Sequence, residues 1–151
     1  MIHKKIENVN FNDPTFYDHF EHRDSTNYKN IEAMLIHLAL CHTIILDDRT
    51  GKYNASSPDE LALVNAAKFF GVVFKKRDED NNLVIDFRGI ELKYRLLNVL
   101  EFNSTRKRMS IIIRDQNGKI MILTKGADSI IYPRLNKINS PHIAETENFV
   151  N

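Results

Sequence analysis

The sequence has few of the features that would place a chain in a membrane, an oxidising compartment or a complex with nucleic acid. Cys41 is the single cysteine among 151 residues, so no internal disulfide can form, which favours a reducing compartment. The 21 basic and 20 acidic residues nearly cancel, and any anion site must therefore be local. The longest apolar run, Met34–Leu46, is shorter than the roughly 20 residues of a membrane-spanning helix. We expect a domain that does not itself cross a membrane and has no nucleic-acid partner.

Apolar periodicity predicts an α+β domain with an antiparallel β-sheet flanked by helices. Residues 1–29 are polar and irregular, apart from a short helix opened by Pro14. Helical patterns are expected at 28–43, 58–70, 127–135 and from 145 onward. Between them, strand patterns occupy 72–76, 83–87, 90–101, 110–115 and 119–125. Successive strands joined by hairpins, as Asn117-Gly118 indicates for the last pair, predict one domain over residues 1–151.

The second long helix has a strong local signal at its start. Ser57 is the predicted N-cap, Pro58 the first helical residue and Glu60 the third, which is the pattern of a capping box. In that case the Glu60 carboxylate accepts a hydrogen bond from the Ser57 amide. The functional alternative is that it accepts one from an adenine amino group.

A short stretch between two strands combines an aromatic residue with a basic cluster. Phe102 precedes Arg106, Lys107 and Arg108. An aromatic face and nearby cations suit a flat base that carries phosphates, although such a turn can also be only a solvated loop. A further alternative is single-stranded nucleic acid, against which the near-zero net charge argues.

A second candidate anion site lies at the junction of the last strand and the next helix. Gly126 would let the backbone turn sharply and a ligand approach closely, and Lys125 adds a mobile positive charge. The amides at the start of the helix favour an anion. The glycine spacing of a Walker A loop is missing, so the alternative is a glycine turn beside a solvated lysine.

Three segments resemble the nucleotide-binding domain of type IV P-type ATPases, the phospholipid flippases: 55–60, 100–110 and 125–128. Asn12-Asp13-Pro14 and residues 40–43 resemble earlier landmarks, so the resemblance covers about residues 10–151. It implies that Phe102 stacks on adenine, that Lys125 lies against the nucleotide and that Glu60 lines the base pocket. The remaining candidate ATP-binding residues in the matched segments are Ser104, Met109, Gly126 and Arg108.

The resemblance also implies that ATP binding and phosphorylation take place on different domains. Such a domain holds ATP, with Mg²⁺, and presents it to a separate phosphorylation domain that carries the reactive aspartate. The parent would be an integral membrane enzyme that transports phospholipid, with this domain in the cytosol, an actuator domain and possible accessory subunits as partners. The chain ends before an expected Leu-Arg-Thr segment, so we expect an excised, C-terminally truncated fragment that binds ATP but does not hydrolyse it.

Two further interpretations stay open at this point. Asp48-Arg49-Thr50-Gly51 imitates the family's phosphorylation loop, but it lies after the start of the nucleotide domain and is explained by a turn. The same domain could also be a flippase-like module with a regulatory role, fused to another enzyme such as a guanylate cyclase. The residues of this chain do not separate that alternative from the first.

Overall fold

The computed structural model describes residue 6 and residues 9–150. The helices are α1 Pro14–Glu21, α2 Tyr28–Leu40, α3 Pro58–Phe69, α4 Asp128–Ile131 and α5 Ile143–Val150. Two short 3₁₀ turns, Tyr132–Arg134 and Lys137–Asn139, lie between the last two helices. The strands are β1 Ile45–Leu46, β2 Tyr53–Asn54, β3 Val72–Arg77, β4 Asn82–Phe87, β5 Ile90–Leu100, β6 Arg108–Arg114 and β7 Ile120–Gly126.

The main sheet has the strand order β3-β4-β5-β6-β7, and every neighbouring pair is antiparallel. Each strand therefore pairs with the one before it in the chain, as hairpin connections require. Gly118 in the last hairpin has a φ of 83°, which glycine adopts without strain. The predicted α+β fold with an antiparallel sheet is confirmed, and β1 and β2 form a separate small hairpin.

The core lies between helices α2 and α3 and one face of the sheet. Residues Ile31 and Leu35 of α2 and Val64 of α3 are buried against residues such as Ile85 and Ile111 of the sheet. Met34, on the same helix, is 57% exposed. The buried face of α2 also includes Ala39 and Leu40, which are completely buried at the end of the helix.

Helix α2 ends at Leu40, and the prediction that it continues to Thr43 was wrong. The Cys41 amide still donates to the carbonyl of His37, but the backbone then leaves the helical conformation, with ψ of 74° at Cys41. The ring of His42 stabilises the turn, because its Nε2 lies 2.8 Å from the Ala39 carbonyl and its Nδ1 accepts from the Ile44 amide at 3.1 Å. The amide of Thr43 is thereby released from the helix.

The N-terminal part of the described chain contains the predicted short helix. Asp13 caps α1, since its carboxylate accepts from the amides of Thr15 and Phe16 at 2.9 and 3.3 Å, and Pro14 is the first helical residue. Phe16 packs on Phe70, at the end of α3, with 4.7 Å between ring centroids. The rest of the predicted irregular segment falls partly on residues 1–5, 7 and 8, which lie outside the described residues.

Candidate functional site

A cavity of about 820 Å³ opens between the start of α3, the loop that joins β5 to β6, and the end of β7. From the α2 turn and α3 it is lined by Thr43, Ser56, Ser57, Asp59, Glu60 and Leu63. From the β5–β6 region and β7 it is lined by Glu101, Phe102, Met109, Lys125, Gly126 and Ala127. Its volume lies within the range of roughly 300–1,000 Å³ that is usual for small-molecule sites.

The structure brings five of the seven predicted site residues to this cavity: Glu60, Phe102, Met109, Lys125 and Gly126. These residues come from three separate parts of the sequence, which only the folded sheet and helix layer bring together. Ser104 and Arg108 are not among the lining residues. Ser104 is exposed in the β5–β6 loop, and Arg108 donates from Nη1 to the carbonyl of Arg106 at 2.9 Å.

Phe102 and Met109 form contrasting apolar parts of the lining. The ring of Phe102 is 65% exposed, which is high for a large aromatic side chain. Met109 is 4% exposed, and its Sδ lies 3.7 Å from the buried Cys41 Sγ. The cavity therefore combines a closely packed apolar wall with an aromatic face that the protein leaves open.

The Glu60 carboxylate does not complete the predicted capping box. Only half of that motif forms, because the Glu60 amide donates to Ser57 Oγ at 3.2 Å. The carboxylate instead accepts from the Thr43 amide at 2.9 Å and from Ser56 Oγ at 3.1 Å. It also accepts from Lys125 Nζ at 3.1 Å, which joins α3 to β7 across 65 positions of sequence.

Glu60 is charged at neutral pH despite its burial. Desolvation of the carboxyl raises its pKa, but the hydrogen bonds from Thr43, Lys125 and Ser56 together outweigh that effect and hold the pKa below its usual value. The Glu60 side chain is 7% exposed and that of Lys125 is 25% exposed. The cationic member of this ion pair is therefore the one that is more accessible from the cavity.

Of the basic triplet in the β5–β6 loop, Arg106 is directed into the protein. Its Nη1 donates to the carbonyls of Leu100, Glu101 and Arg108 at 2.8, 3.0 and 3.1 Å. Its Nη2 donates to Ser110 Oγ at 3.2 Å. These bonds connect both ends of the loop that carries Phe102. The sequence pattern did not predict this role, because a basic triplet in a turn does not indicate which side chain folds inward.

The remainder of the loop is shaped by Asn103. Its side-chain oxygen accepts from the amides of Thr105 and Arg106 at 3.1 and 2.8 Å, and its carbonyl accepts from the Lys107 amide at 2.8 Å. Lys107 has a φ of 51°, in the left-handed region that non-glycine residues seldom adopt. The side chains of residues 106–108 therefore lie in three different environments and do not form one continuous cationic surface.

Arg108 lies in a positively charged neighbourhood at the start of β6. Desolvation, followed by the charges of Arg134 and Arg106, lowers the pKa of its guanidinium from its usual value. Arg108 pairs with Gly126 across the two strands, so its backbone is close to the cavity although its side chain does not line it.

Gly126 is required by close packing and not by a sharp turn, which corrects the expectation from sequence. A Cβ atom at this position would lie 2.9 Å from both the Lys107 carbonyl oxygen and the Arg108 Cβ. These contacts are shorter than van der Waals distances, and two of the nearest three atoms belong to backbone. The absence of a side chain lets β6 and β7 approach at the rim of the cavity.

Asp48 lies in the turn between β1 and β2, where it is exposed. The turn is organised by Asp47, whose carboxylate accepts from the amides of Arg49 and Thr50 at 2.8 and 3.3 Å, and Gly51 has a φ of 66°. This is the turn that the sequence predicted. Among residue 6 and residues 9–150, no group of three or more His, Cys, Asp and Glu side chains is arranged to hold a metal ion.

Comparisons with known proteins agree with the geometry of the domain. The family described as P-type ATPase, cytoplasmic domain N, matches residues 30–147. The human phospholipid-transporting ATPase IC is 44% identical over 96% of this chain and 12% of its own length. The Arabidopsis thaliana phospholipid-transporting ATPase 10 is 48% identical over 76% of this chain and 10% of its own length. A phospholipid-transporting ATPase of Schizosaccharomyces pombe is 40% identical over 93% of this chain.

The chain thus spans only about a tenth of the length of these relatives. Within residues 9–150 the helices are too short or too polar to cross a membrane. The match covers α2 from its third residue onward, α3 and the whole five-stranded sheet, together with the cavity residues they carry. The chain belongs to the family of P-type ATPase cytoplasmic N domains, and its relatives there are the type IV, phospholipid-transporting members.

Proposed function

We propose that this domain binds ATP in the cavity between α3, the β5–β6 loop and β7. The observation that carries the proposal is that the aromatic residue Phe102 lines the same cavity as Lys125 and is 65% exposed. Stacking of a base on an aromatic ring contributes about 1–3 kcal/mol. An ammonium group favours the negative charge of a phosphate. Together they suit a ligand with a flat base and an anionic tail.

Among the described residues, no three His, Cys, Asp or Glu side chains are grouped so that they could hold a metal ion. Magnesium usually keeps several waters and binds through one or two carboxylates plus substrate phosphates. In this proposal Mg²⁺ therefore arrives on the triphosphate, and its protein ligands belong to the phosphorylation domain. Phe102, Met109 and Leu63 would contact the base, while Lys125 would lie against the anionic part of the nucleotide.

We further propose that the parent protein is a phospholipid-transporting ATPase, because that is how the relatives of this domain are named. The domain would lie on the cytosolic side of the membrane and present ATP to the phosphorylation domain, with the actuator domain and any accessory subunit as further partners. The chain alone would bind ATP without hydrolysing it. The guanylate cyclase alternative receives no support from these comparisons.

Titration of the purified chain with ATP, followed by amide chemical shifts, tests the proposal. We expect saturable shifts at residues of the cavity, and we expect Phe102→Ala to weaken ATP binding by about 1–3 kcal/mol. Phe149→Ala is a matched control, because Phe149 is 85% exposed and does not line the cavity. Equal affinities of the two variants and the wild type would contradict the stacking role, and shifts that do not saturate would contradict ATP binding.

A further inference from the structure

The side chain of Phe102 is held by its backbone more than by packing. Phe102 is 65% exposed, so it makes few of the close contacts that keep a buried ring in one position. A mobile ring has to be ordered when a base stacks on it, and ordering one side chain costs roughly two- to tenfold in affinity. The backbone on either side of Phe102 is therefore what the protein can use to direct the ring before a nucleotide arrives.

Arg106 fixes the backbone on the N-terminal side of Phe102. Its Nη1 donates to the carbonyls of Leu100 and Glu101 at 2.8 and 3.0 Å, and the second of these carbonyls belongs to the peptide group that ends at the Phe102 nitrogen. Nη1 also donates to the carbonyl of Arg108, the first residue of β6, at 3.1 Å. One guanidinium thus ties the end of β5 to the start of β6 and holds the peptide group that precedes the aromatic residue.

Asn103 fixes the backbone on the C-terminal side of Phe102. Its side-chain oxygen accepts from the amides of Thr105 and Arg106 at 3.1 and 2.8 Å, and its carbonyl accepts from the Lys107 amide at 2.8 Å. An Asn side chain that binds backbone amides two and three positions ahead stabilises a turn. Phe102 therefore lies between two peptide segments that the loop's own hydrogen bonds hold, although its side chain is exposed.

The donors of Arg106 are committed to the protein. Nη1 carries two hydrogens and lies within 3.1 Å of three carbonyl oxygens, and Nη2 donates to Ser110 Oγ at 3.2 Å. Ser110 is 1% exposed, so that bond anchors the guanidinium in the sheet. Although a basic triplet suggests phosphate ligands, Arg106 does not line the cavity, and its Nη1 has no hydrogen left for a phosphate.

We propose that Arg106 is a positioning residue for the base, which acts through Phe102, and that Asn103 assists it from the other side of Phe102 in the chain. This inference rests on the proposed ATP binding. The two side chains hold the loop so that the ring is in place before the base stacks on it, and its freedom is lost during folding instead of on binding. Arg106 contributes to affinity for the base and not for the triphosphate.

Fluorescence anisotropy of Phe102→Trp tests the positioning without any nucleotide. The chain contains no tryptophan, so this variant carries a single indole at the position of interest. We expect added Arg106→Ala to lower the anisotropy of that indole in the folded protein, because the loop then moves more freely. An unchanged anisotropy would overturn the proposal. Asn103→Ala, at an exposed residue, should also lower the anisotropy and gives the same test if Arg106→Ala does not fold.

Titration with ATP measures the consequence for binding. We expect Arg106→Ala to weaken ATP binding by about fivefold. On a Phe102→Ala background the same substitution should weaken it by less than about twofold, because the ring that Arg106 positions is then absent. A full fivefold loss on that background would show that Arg106 acts independently of the ring, for instance on the phosphates, and would overturn the proposal.

Arg88→Ala is the matched control for Arg106→Ala. Arg88 donates to the Phe20 carbonyl at 3.1 Å and to the Glu21 carboxylate at 2.8 Å, so internal bonds of a guanidinium are again lost, but Arg88 does not line the cavity. We expect it to leave the indole anisotropy unchanged and ATP affinity within about twofold of the wild type. Equal effects of the two arginine variants would mean that general destabilisation is responsible, and would overturn the proposal.

The two measurements separate this inference from the proposed function. Absence of saturable ATP binding by the wild type would contradict the proposed function, whereas a lowered indole anisotropy in Arg106→Ala would still support the positioning of the aromatic side chain. Saturable ATP binding together with an anisotropy that does not respond to Arg106→Ala would leave the proposed function standing and overturn the positioning role.

Discussion

The guanidinium of Arg106 donates to the hydroxyl of Ser110 at 3.2 Å, and this bond fastens the β5–β6 loop to strand β6. Ser110 Oγ in turn lies 2.8 Å from Thr124 Oγ1 on β7. The loop that exposes Phe102 is thus connected by side chains to the strand that carries Lys125. These bonds therefore fasten the loop that carries the aromatic ring to both strands that border the cavity.

We predict that Arg106→Ala destabilises the domain by about 2 kcal/mol, because several acceptors lose a charged donor. Arg106→Lys should recover little of that loss, since one ammonium cannot reproduce the planar, multiply bonded guanidinium. Urea unfolding measures both effects. Arg49→Ala, at a side chain that is 93% exposed, is the control and should leave the free energy of unfolding within about 0.5 kcal/mol. Equal stabilities of Arg106→Ala and Arg49→Ala would refute the structural role.

Gly126 should tolerate no side chain. We predict that Gly126→Ala lowers the free energy of unfolding by about 1–3 kcal/mol, because its Cβ would lie 2.9 Å from the Lys107 carbonyl oxygen and β6 and β7 would have to separate. Gly126→Val should cost more than Gly126→Ala. Thermal or urea denaturation of the two variants provides the measurement, and a wild-type stability for either would mean that the strands are less closely packed than described.

Stability should fall as the pH is lowered from 7.5 to 5. Burial lowers the pKa of His42 from 6.5 to about 4, and burial also lowers the pKa of His37. The unfolded chain therefore binds protons near pH 6.5, while the folded chain does so only at lower pH. The stability that depends on neutral histidines is therefore complete above pH 6.5 and is lost as the pH falls toward 4. His42 should account for about 2 kcal/mol of the free energy of unfolding lost between pH 7.5 and 5.

Urea unfolding at several pH values between 7.5 and 5 measures this loss. In His42→Gln the dependence on pH should become shallower, even if the variant is less stable overall, because the buried histidine no longer titrates and only the partly buried His37 remains. An identical free energy of unfolding at pH 7.5 and 5 in the wild type would contradict the buried neutral state of His42.

The Cys41 thiol should be unreactive in the folded protein. Burial raises its pKa to about 11, and the side chain is 2% exposed, so little thiolate is present and reagents have no access. We predict negligible alkylation by iodoacetamide at pH 8 and rapid alkylation in urea. Mass spectrometry of the intact chain measures the extent, and rapid modification without denaturant would mean that the core around Cys41 opens frequently.

The strands and helices could be predicted because their signals are local. The Asn117-Gly118 hairpin and the Ser57-Pro58 helix start depend on residues within a few positions, and both are present in the structure. The end of α2 was mispredicted by three residues, because apolar periodicity continued through Cys41 while the ring of His42 stabilised a turn. Side-chain hydrogen bonds of this kind leave no periodic trace in the sequence.

The candidate site was only partly predictable for a different reason. The amide half of the Glu60 cap is a local feature and was expected, whereas the carboxylate binds donors 17 and 65 positions away. Arg106 and Arg108 differ by two positions, yet one folds inward and the other lies beside Arg134. Contacts between residues that are far apart in the sequence, such as Glu60 and Lys125, are decided by the packing of the sheet against the helices.

The ion pair between α3 and β7 closes a chain loop that contains most of the sheet. Closing such a loop costs conformational entropy, and this cost is offset only when the intervening strands have paired. A nucleotide that contacts Lys125 therefore binds only molecules in which the last strand has docked. By mass action, bound nucleotide should raise the free energy that is needed to detach β7 from the sheet. Hydrogen exchange of the β7 amides should therefore slow when the cavity is occupied, although the other side of that cavity is formed by helix α3.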